Sequence, residues 1–163
     1  MSSSKRRFLL ALPLAVLVAA CGFEPVYAPG GTGAALRGQV EFDIPDTRDG
    51  YLLTRNLEER LGRTQVGSYH LSVKPSVTSE GQAVTKSGDI TRFSLVGRAS
   101  YVLRRVSDES IVASGTVENF TGYSATGTTV ETLASQDDAR DRLMVILADQ
   151  ITARIYSTAD LSG

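Results

Sequence analysis

The chain has 163 residues, 42% of them hydrophobic and 21% charged, a balance that suits one folded domain rather than a disordered chain. A single cysteine and a single histidine, His70, exclude an internal disulfide framework, a cysteine-based zinc site and a His-rich metal site. Formal net charge is −1, but Lys5, Arg6 and Arg7 all precede residue 21, so 14 of the 17 basic residues face 18 acids in the rest and no nucleic-acid binding by phosphate neutralisation is expected.

The amino terminus reads as a leader. Lys5-Arg6-Arg7 is followed by Phe8 through Ala20, thirteen uncharged and mostly apolar residues. A bilayer span takes roughly 20 residues; this shorter run has the length of a secretory h-region ending in small residues. Residues 1–20 are therefore expected to be a signal peptide. Cys21 then admits two readings, a free thiol behind an ordinary cleavage site or an acylated first residue. Val18-Ala19-Ala20-Cys21 resembles the bacterial lipobox, and the sole cysteine stands where that motif requires one. The resemblance implies a diacylglyceryl thioether and an acylated amine on Cys21, which anchor the mature chain without crossing the membrane. Gly22, in place of the aspartate that retains such proteins at the inner membrane, implies the outer membrane.

Residues 21–38, with Pro25, Pro29, Gly30, Gly31 and Gly33, read as a lipidated tether. The domain is expected over 39–158, with 159–163 as a tail. Gln39–Ile44 alternates, with Val40, Phe42 and Ile44 on one face, and predicts a strand ended by Pro45. Leu53, Leu57 and Leu61 recur at helical spacing from about Asp49, and Gly62 follows as a C-terminal cap. Strand patterns return at Tyr69–Thr78, where Pro75 predicts an edge or an irregularity. Phe93–Leu103 alternates with Arg92–Arg104 on opposite faces. Ser107-Asp108-Glu109 is a turn, and Ile111–Phe120 returns to complete a hairpin. Thr121–Val130 is expected to be a loop. Ser135 then caps a terminal helix, with Asp137 and Asp138 in its first turn and Ala139, Leu143, Ile146, Leu147, Ile151 and Ile155 as its stripe. The order β-α-β-β-β-α predicts an α+β two-layer sandwich: one four-stranded mixed sheet, begun by a parallel crossover, with two helices on one face.

No enzyme chemistry is assembled by these residues. Gly30-Gly31-Thr32-Gly33 lacks the Lys-Ser/Thr ending of a phosphate loop. Ser114-Gly115 lies within a strand pattern rather than at a nucleophile elbow. His70 falls on a polar strand face with no second imidazole near it in sequence. No catalytic residue, metal site or cofactor is expected. One segment carries a positive signal. Lys86 lies between two strands, and Arg92, Arg98 and Arg104 continue along one strand face. This basic stripe is either a solvated sheet face or a docking surface for an anionic partner such as a phosphorylated lipid.

The lipobox followed by Gly22-Phe23-Glu24-Pro25-Val26-Tyr27 resembles the start of the lipopolysaccharide-assembly lipoprotein LptE family, particularly its alphaproteobacterial branch. The element order resembles the same family. So does the ending Asp137-Asp138-Ala139-Arg140 followed by Leu147-Ala148-Asp149-Gln150-Ile151. The resemblance implies an outer-membrane lipoprotein on the periplasmic side that plugs the LptD β-barrel, assists its assembly and binds lipopolysaccharide on its way to the surface. It places Lys86 where the family contacts lipopolysaccharide in the loop between its second and third strands; Arg92, from the basic stripe, is expected to bind lipopolysaccharide beside it. A second cation expected just before the terminal helix is unmatched in Leu133-Ala134-Ser135-Gln136. The polar strand face bearing Arg92, Arg98 and Arg104 would suit a hydrophilic barrel lumen. The alternative is a lipid-anchored periplasmic module for a small ligand, which requires an apolar pocket.

Overall fold

The computed structural model describes residues 26–84 and 90–162. Residues 1–20, expected as a signal peptide, with Cys21 and Lys86 lie outside the described residues. Seven elements follow in order: α1 (Thr32–Leu36), β1 (Val40–Phe42), α2 (Arg48–Leu61), β2 (Tyr69–Val84), β3 (Ile90–Arg105), β4 (Ile111–Ser124) and α3 (Thr129–Thr158). The strands form one sheet in the order β1-β2-β3-β4, with β1 parallel to β2 and the other pairs antiparallel. The expected α+β sandwich is thus observed, with α1 as an addition.

The alternation read from the sequence sorts the two sheet faces. Leu95, Ala99, Tyr101 and Leu103 of β3 are buried, as are Leu71 of β2 and Val117 of β4. Against them pack the stripes of α2 (Leu53, Leu57, Leu61) and α3 (Leu143, Leu147, Ile151, Ile155), all fully buried. Gly97 lets α3 lie close, since a Cβ there would come within 2.8 Å of Leu143 Cδ2. Gly62 closes α2 at φ +84, the left-handed region glycine favours. Among the described residues, no helix is long and apolar enough to cross a membrane, α3 included.

The structure corrects four boundaries. β1 ends at Phe42, and Ile44 is 95% exposed. Pro45 turns the chain toward α2 before a fourth ladder pair can form. Because β1 stops opposite Leu71, β2 runs on as an edge strand, where Pro75 is tolerated in register with Ala99. The stretch read as a loop from Thr121 continues β4 to Ser124. The terminal helix starts seven residues before Ser135 is reached as a cap: its N-cap is Thr128, which makes a capping box with Glu131. Ser135, Asp137 and Asp138 are helix interior. Within the predicted tether, Thr32–Leu36 is helical and Leu36 is fully buried.

Ion pairs set the register of α2 on α3. Arg140 Nη1 bonds both carboxylate oxygens of Asp49, at 3.0 and 2.9 Å, with both side chains mostly buried. Arg60 Nε reaches Asp149 at 2.6 Å while its Nη1 donates to the Asn56 carbonyl. Arg48 meets Asp137 at 2.8 Å in the open. Removing Arg140 leaves the mostly buried Asp49 carboxylate unpaired, so Arg140→Ala is expected to cost about 2 kcal/mol in urea unfolding. Arg48→Ala is expected to leave the midpoint unchanged, because exposed pairs contribute little. Equal midpoints for the two variants would contradict this account of the interface.

The sheet has two distinct ends. At one end lie Gly38, which donates to the Leu61 carbonyl, the start of β2, the β3–β4 turn and the C-terminal end of α3. Val106 there donates to the Ser68 carbonyl, and Asp160 donates to the Val112 carbonyl. At the other end lie Val84 at the end of β2, Ile90 at the start of β3, Ser124 and the first turns of α3.

Candidate functional site

The face of the sheet away from the helices is polar. His70, Ser72, Lys74, Ser76 and Thr78 of β2 lie across from Arg104, Val102, Ser100, Arg98 and Val96 of β3, and these from Ser114, Thr116, Glu118 and Phe120 on β4. Arg92, Arg98 and Arg104 do share this face, as the alternation predicts. They are not a continuous basic stripe. β4 sets Glu118 directly opposite Arg98, and Arg98 Nε donates to its carboxylate at 2.8 Å. Arg104 donates to the Glu109 carbonyl at 3.2 Å beside a shallow cleft that Glu41, His70 and Glu109 also line. Arg92 is exposed opposite Ser124 and makes no ion pair among the described residues. The sequence reading missed the Arg98–Glu118 pair because Glu118 comes from another strand.

Of the three arginines on this face, Arg92 near the Ile90 end of β3 makes no hydrogen bond or ion pair among the described residues. That end also carries Glu80 of β2, opposite Ser94, and Arg142 of α3, which pairs with Asp138 and donates to the Gly122 carbonyl. Phe93 and Tyr123 stack with ring centroids 5.3 Å apart. Thr121 Oγ1 donates to the Ala139 carbonyl, so α3 residues before Ala139 extend toward the hairpin. Val130 and Leu133 on that extension are 76% and 56% exposed, and Ile90 is 43% exposed. From Ala125 through Gln136 the one charge is Glu131, whose side chain accepts from the Thr128 N–H and completes the helix cap. The cation missing before Ser135 is equally missing before Thr128, the true cap. Exposed Val130 and Leu133 could not be recognised as surface while residues up to Val130 read as a loop.

His70 and Asp43 form a titratable pair on the β1 side, with Nε2 2.7 Å from Oδ1. Partial burial works to raise the Asp43 carboxyl, but hydrogen bonds from His70 and Ser72 hold it below its ordinary value. Ser72 bonds the carboxylate rather than the imidazole, so the trio pins the end of β1 and activates no nucleophile. The pair borders a half-open cleft of about 780 Å³ lined by Phe42, Ile44 and Pro45 but also by Asp46, Thr47 and Lys74. A half-open cleft with such mixed walls is not the enclosed apolar pocket that a small-ligand module requires. Among the described residues, no three His, Cys, Asp or Glu side chains are grouped to hold a metal ion.

The model of the LptE lipopolysaccharide-assembly family matches residues 37–155 of this chain. The chain belongs to the LptE family. Comparison with curated proteins found no match. Solved structures share the LptE-like fold. One is a Caulobacter crescentus CB15 protein described as a lipoprotein, 19% identical, with a TM-score of 0.65 over 78% of this chain and 95% of that one. Another is rare lipoprotein B from Shewanella oneidensis, 12% identical, with a TM-score of 0.57 over 74% and 93%. A third is a minor lipoprotein from Acinetobacter baumannii, 20% identical, with a TM-score of 0.52 over 74% and 91%. Membership in the LptE family makes lipopolysaccharide assembly the process this protein serves, as a membrane-associated lipoprotein.

Proposed function

We propose that this LptE-family protein is held by acyl chains on Cys21 at the periplasmic side of the outer membrane, plugs an LptD-like β-barrel, and offers Lys86 and Arg92 to lipopolysaccharide. It acts by binding and scaffolding rather than by catalysis. The observation that carries the ligand assignment is the charge distribution on β3. Arg98 and Arg104 are engaged within the domain, whereas Arg92 is exposed beside the hairpin that bears Lys86. Exposed Ile90, Val130 and Leu133 at the same end would meet the acyl part of an amphipathic ligand while the cations meet its phosphates. The polar open face, with hydroxyls across β2 and β4, suits the hydrophilic interior of a barrel.

The test is a double charge reversal, Lys86→Glu with Arg92→Glu. Repulsion at two points is expected to weaken lipopolysaccharide binding at least about tenfold. The wild-type affinity is expected to fall with added salt, because exposed charges are screened. Copurification of the barrel from outer membranes is the internal control and is expected to be unchanged. Wild-type lipopolysaccharide affinity in the double reversal would remove the ligand site from this hairpin. A native preparation without a stoichiometric β-barrel would defeat the plug assignment itself.

A further inference from the structure

The two outer edges of the sheet are finished differently. β1 pairs with Tyr69–Leu71 and stops, which leaves β2 as an edge strand from Ser72 onward. The Tyr69 N–H donates to the Gln39 carbonyl on the β1 side, so the odd-numbered β2 residues turn their backbone groups to this edge. Pro75 is one of them and removes a donor there. Further on, register shifts at Gly81 and Ala83 make the same edge irregular. Proline and bulges are devices by which a sheet refuses another strand.

β4 carries no such guard along its middle. The Ala125 N–H donates to the Thr91 carbonyl, and the register from there back to Ala113 is unbroken. Odd-numbered β4 residues therefore bond β3, and even-numbered ones turn their N–H and C=O outward. Contacts at both ends agree with this. The Val112 carbonyl accepts from the Asp160 N–H, and the Gly122 carbonyl accepts from Arg142 Nη2 at 3.4 Å. The Phe120 N–H donates to Asn119 Oδ1 at 2.8 Å. Between these closures lie Ser114, Thr116 and Glu118, all exposed, whose backbone donors and acceptors have no partner among the described residues.

We propose that the β4 edge from Ser114 to Glu118 accepts an extended segment of the surrounding β-barrel protein as a further strand. Evenly spaced, unpaired backbone groups are matched by another backbone, which brings its own donors and acceptors in ladder order. The open stretch is far shorter than the roughly 20–30 residues a side that a stable complex of two free proteins uses, so a second copy would gain too little from it. A segment of a protein that already encloses the domain arrives at high effective concentration, and a short ladder then suffices. Its side chains on the open face would lie beside the Ser114 and Thr116 hydroxyls, while the Glu118 carboxylate is already held by Arg98. Small uncharged polar residues fit there. The added strand would extend the polar face already assigned to the barrel interior, and the proposal rests on that plug reading.

Thr116→Pro removes one outward N–H while leaving the β3 ladder intact, and Thr116→Ala removes the hydroxyl but keeps that N–H. Ser79→Pro, at an outward position of the guarded β2 edge, is the control. The full mature lipoprotein is coexpressed with its barrel and purified from outer membranes. Thr116→Pro is expected to lower barrel recovery about fivefold, and Thr116→Ala and Ser79→Pro to leave it unchanged. Hydrogen exchange of the peptide covering 113–119 supplies a second readout on the wild type. Its outward amides are expected to exchange at least about tenfold more slowly in the complex than in the lipoprotein purified alone. Equal exchange rates overturn the proposal, even where Thr116→Pro fails to fold. So does full barrel recovery by a Thr116→Pro variant that melts like wild type, or an equal loss in Thr116→Ala or Ser79→Pro. Protection that appears in the lipoprotein alone as its concentration rises would make a second copy the occupant and overturn it as well. A wild-type preparation without a stoichiometric barrel defeats the plug reading and the proposal together, whereas a stoichiometric barrel with unprotected amides defeats the strand addition alone.

Discussion

Leu147→Asp is expected to unfold the domain or leave it barely stable. Leu147 is fully buried on the α3 stripe, and Gly97 of β3 presses against it, with its missing Cβ 3.1 Å from Leu147 Cδ1. Replacing it removes a core side chain, which alone costs about 2–5 kcal/mol, and leaves a carboxylate without a partner in the dry layer between helix and sheet. Small domains hold roughly 5–15 kcal/mol in all. The total loss, about 4 kcal/mol or more, is a large share of that. Two residues earlier on the same helix, Val145 is 38% exposed, so Val145→Asp is expected to shift stability by no more than about 0.5 kcal/mol. Thermal melts of both variants make the comparison. A melting temperature for Leu147→Asp within a degree or two of wild type would mean that α3 presents another face to the sheet.

Cys21→Ala is expected to abolish anchoring completely. Acylation requires the thiol, and no other cysteine can substitute. The variant should accumulate with residues 1–20 still attached, or appear in the soluble periplasmic fraction, and mass spectrometry should find no lipid on it. Each buried methylene of an acyl chain is worth about 0.8 kcal/mol, so losing two or more chains removes the membrane affinity of the anchor outright. Fractionation alone is not the deciding readout, since a barrel partner would retain unlipidated protein. The deciding measurement is the mass of the wild-type mature chain. If it still carried residues 1–20, or began at Cys21 without acyl chains, the anchor reading would fail.

Much of this protein is visible in local pattern. The alternation of Phe93, Leu95, Ala99, Tyr101 and Leu103 against Arg92, Arg98 and Arg104 placed every one of these side chains on its observed sheet face, because side-chain direction in a strand has a period of two. The Leu53-Leu57-Leu61 spacing and Gly62 located α2 to within a residue for the same kind of reason. The boundaries that failed were those where competing local signals exist. Ser135 with two following acids resembles a helix start, yet Thr128 and Glu131 supply a reciprocal cap seven residues earlier. Val130 and Leu133 are helical without being buried, so no apolar stripe announced them.

What the sequence by itself determined is therefore the order of the elements and the face each turns to the core, since both are written in neighbouring residues. What only the tertiary structure decided is which polar groups remain available. Arg98 and Arg92 look alike along β3, but β4 brings Glu118 to one and Ser124 to the other. Leu36 looks like part of a tether until the C-terminal end of α2 and α3 give it somewhere to be buried. Charge neutralisation and burial depend on partners far away in the chain, and local periodicity carries no information about which partner arrives.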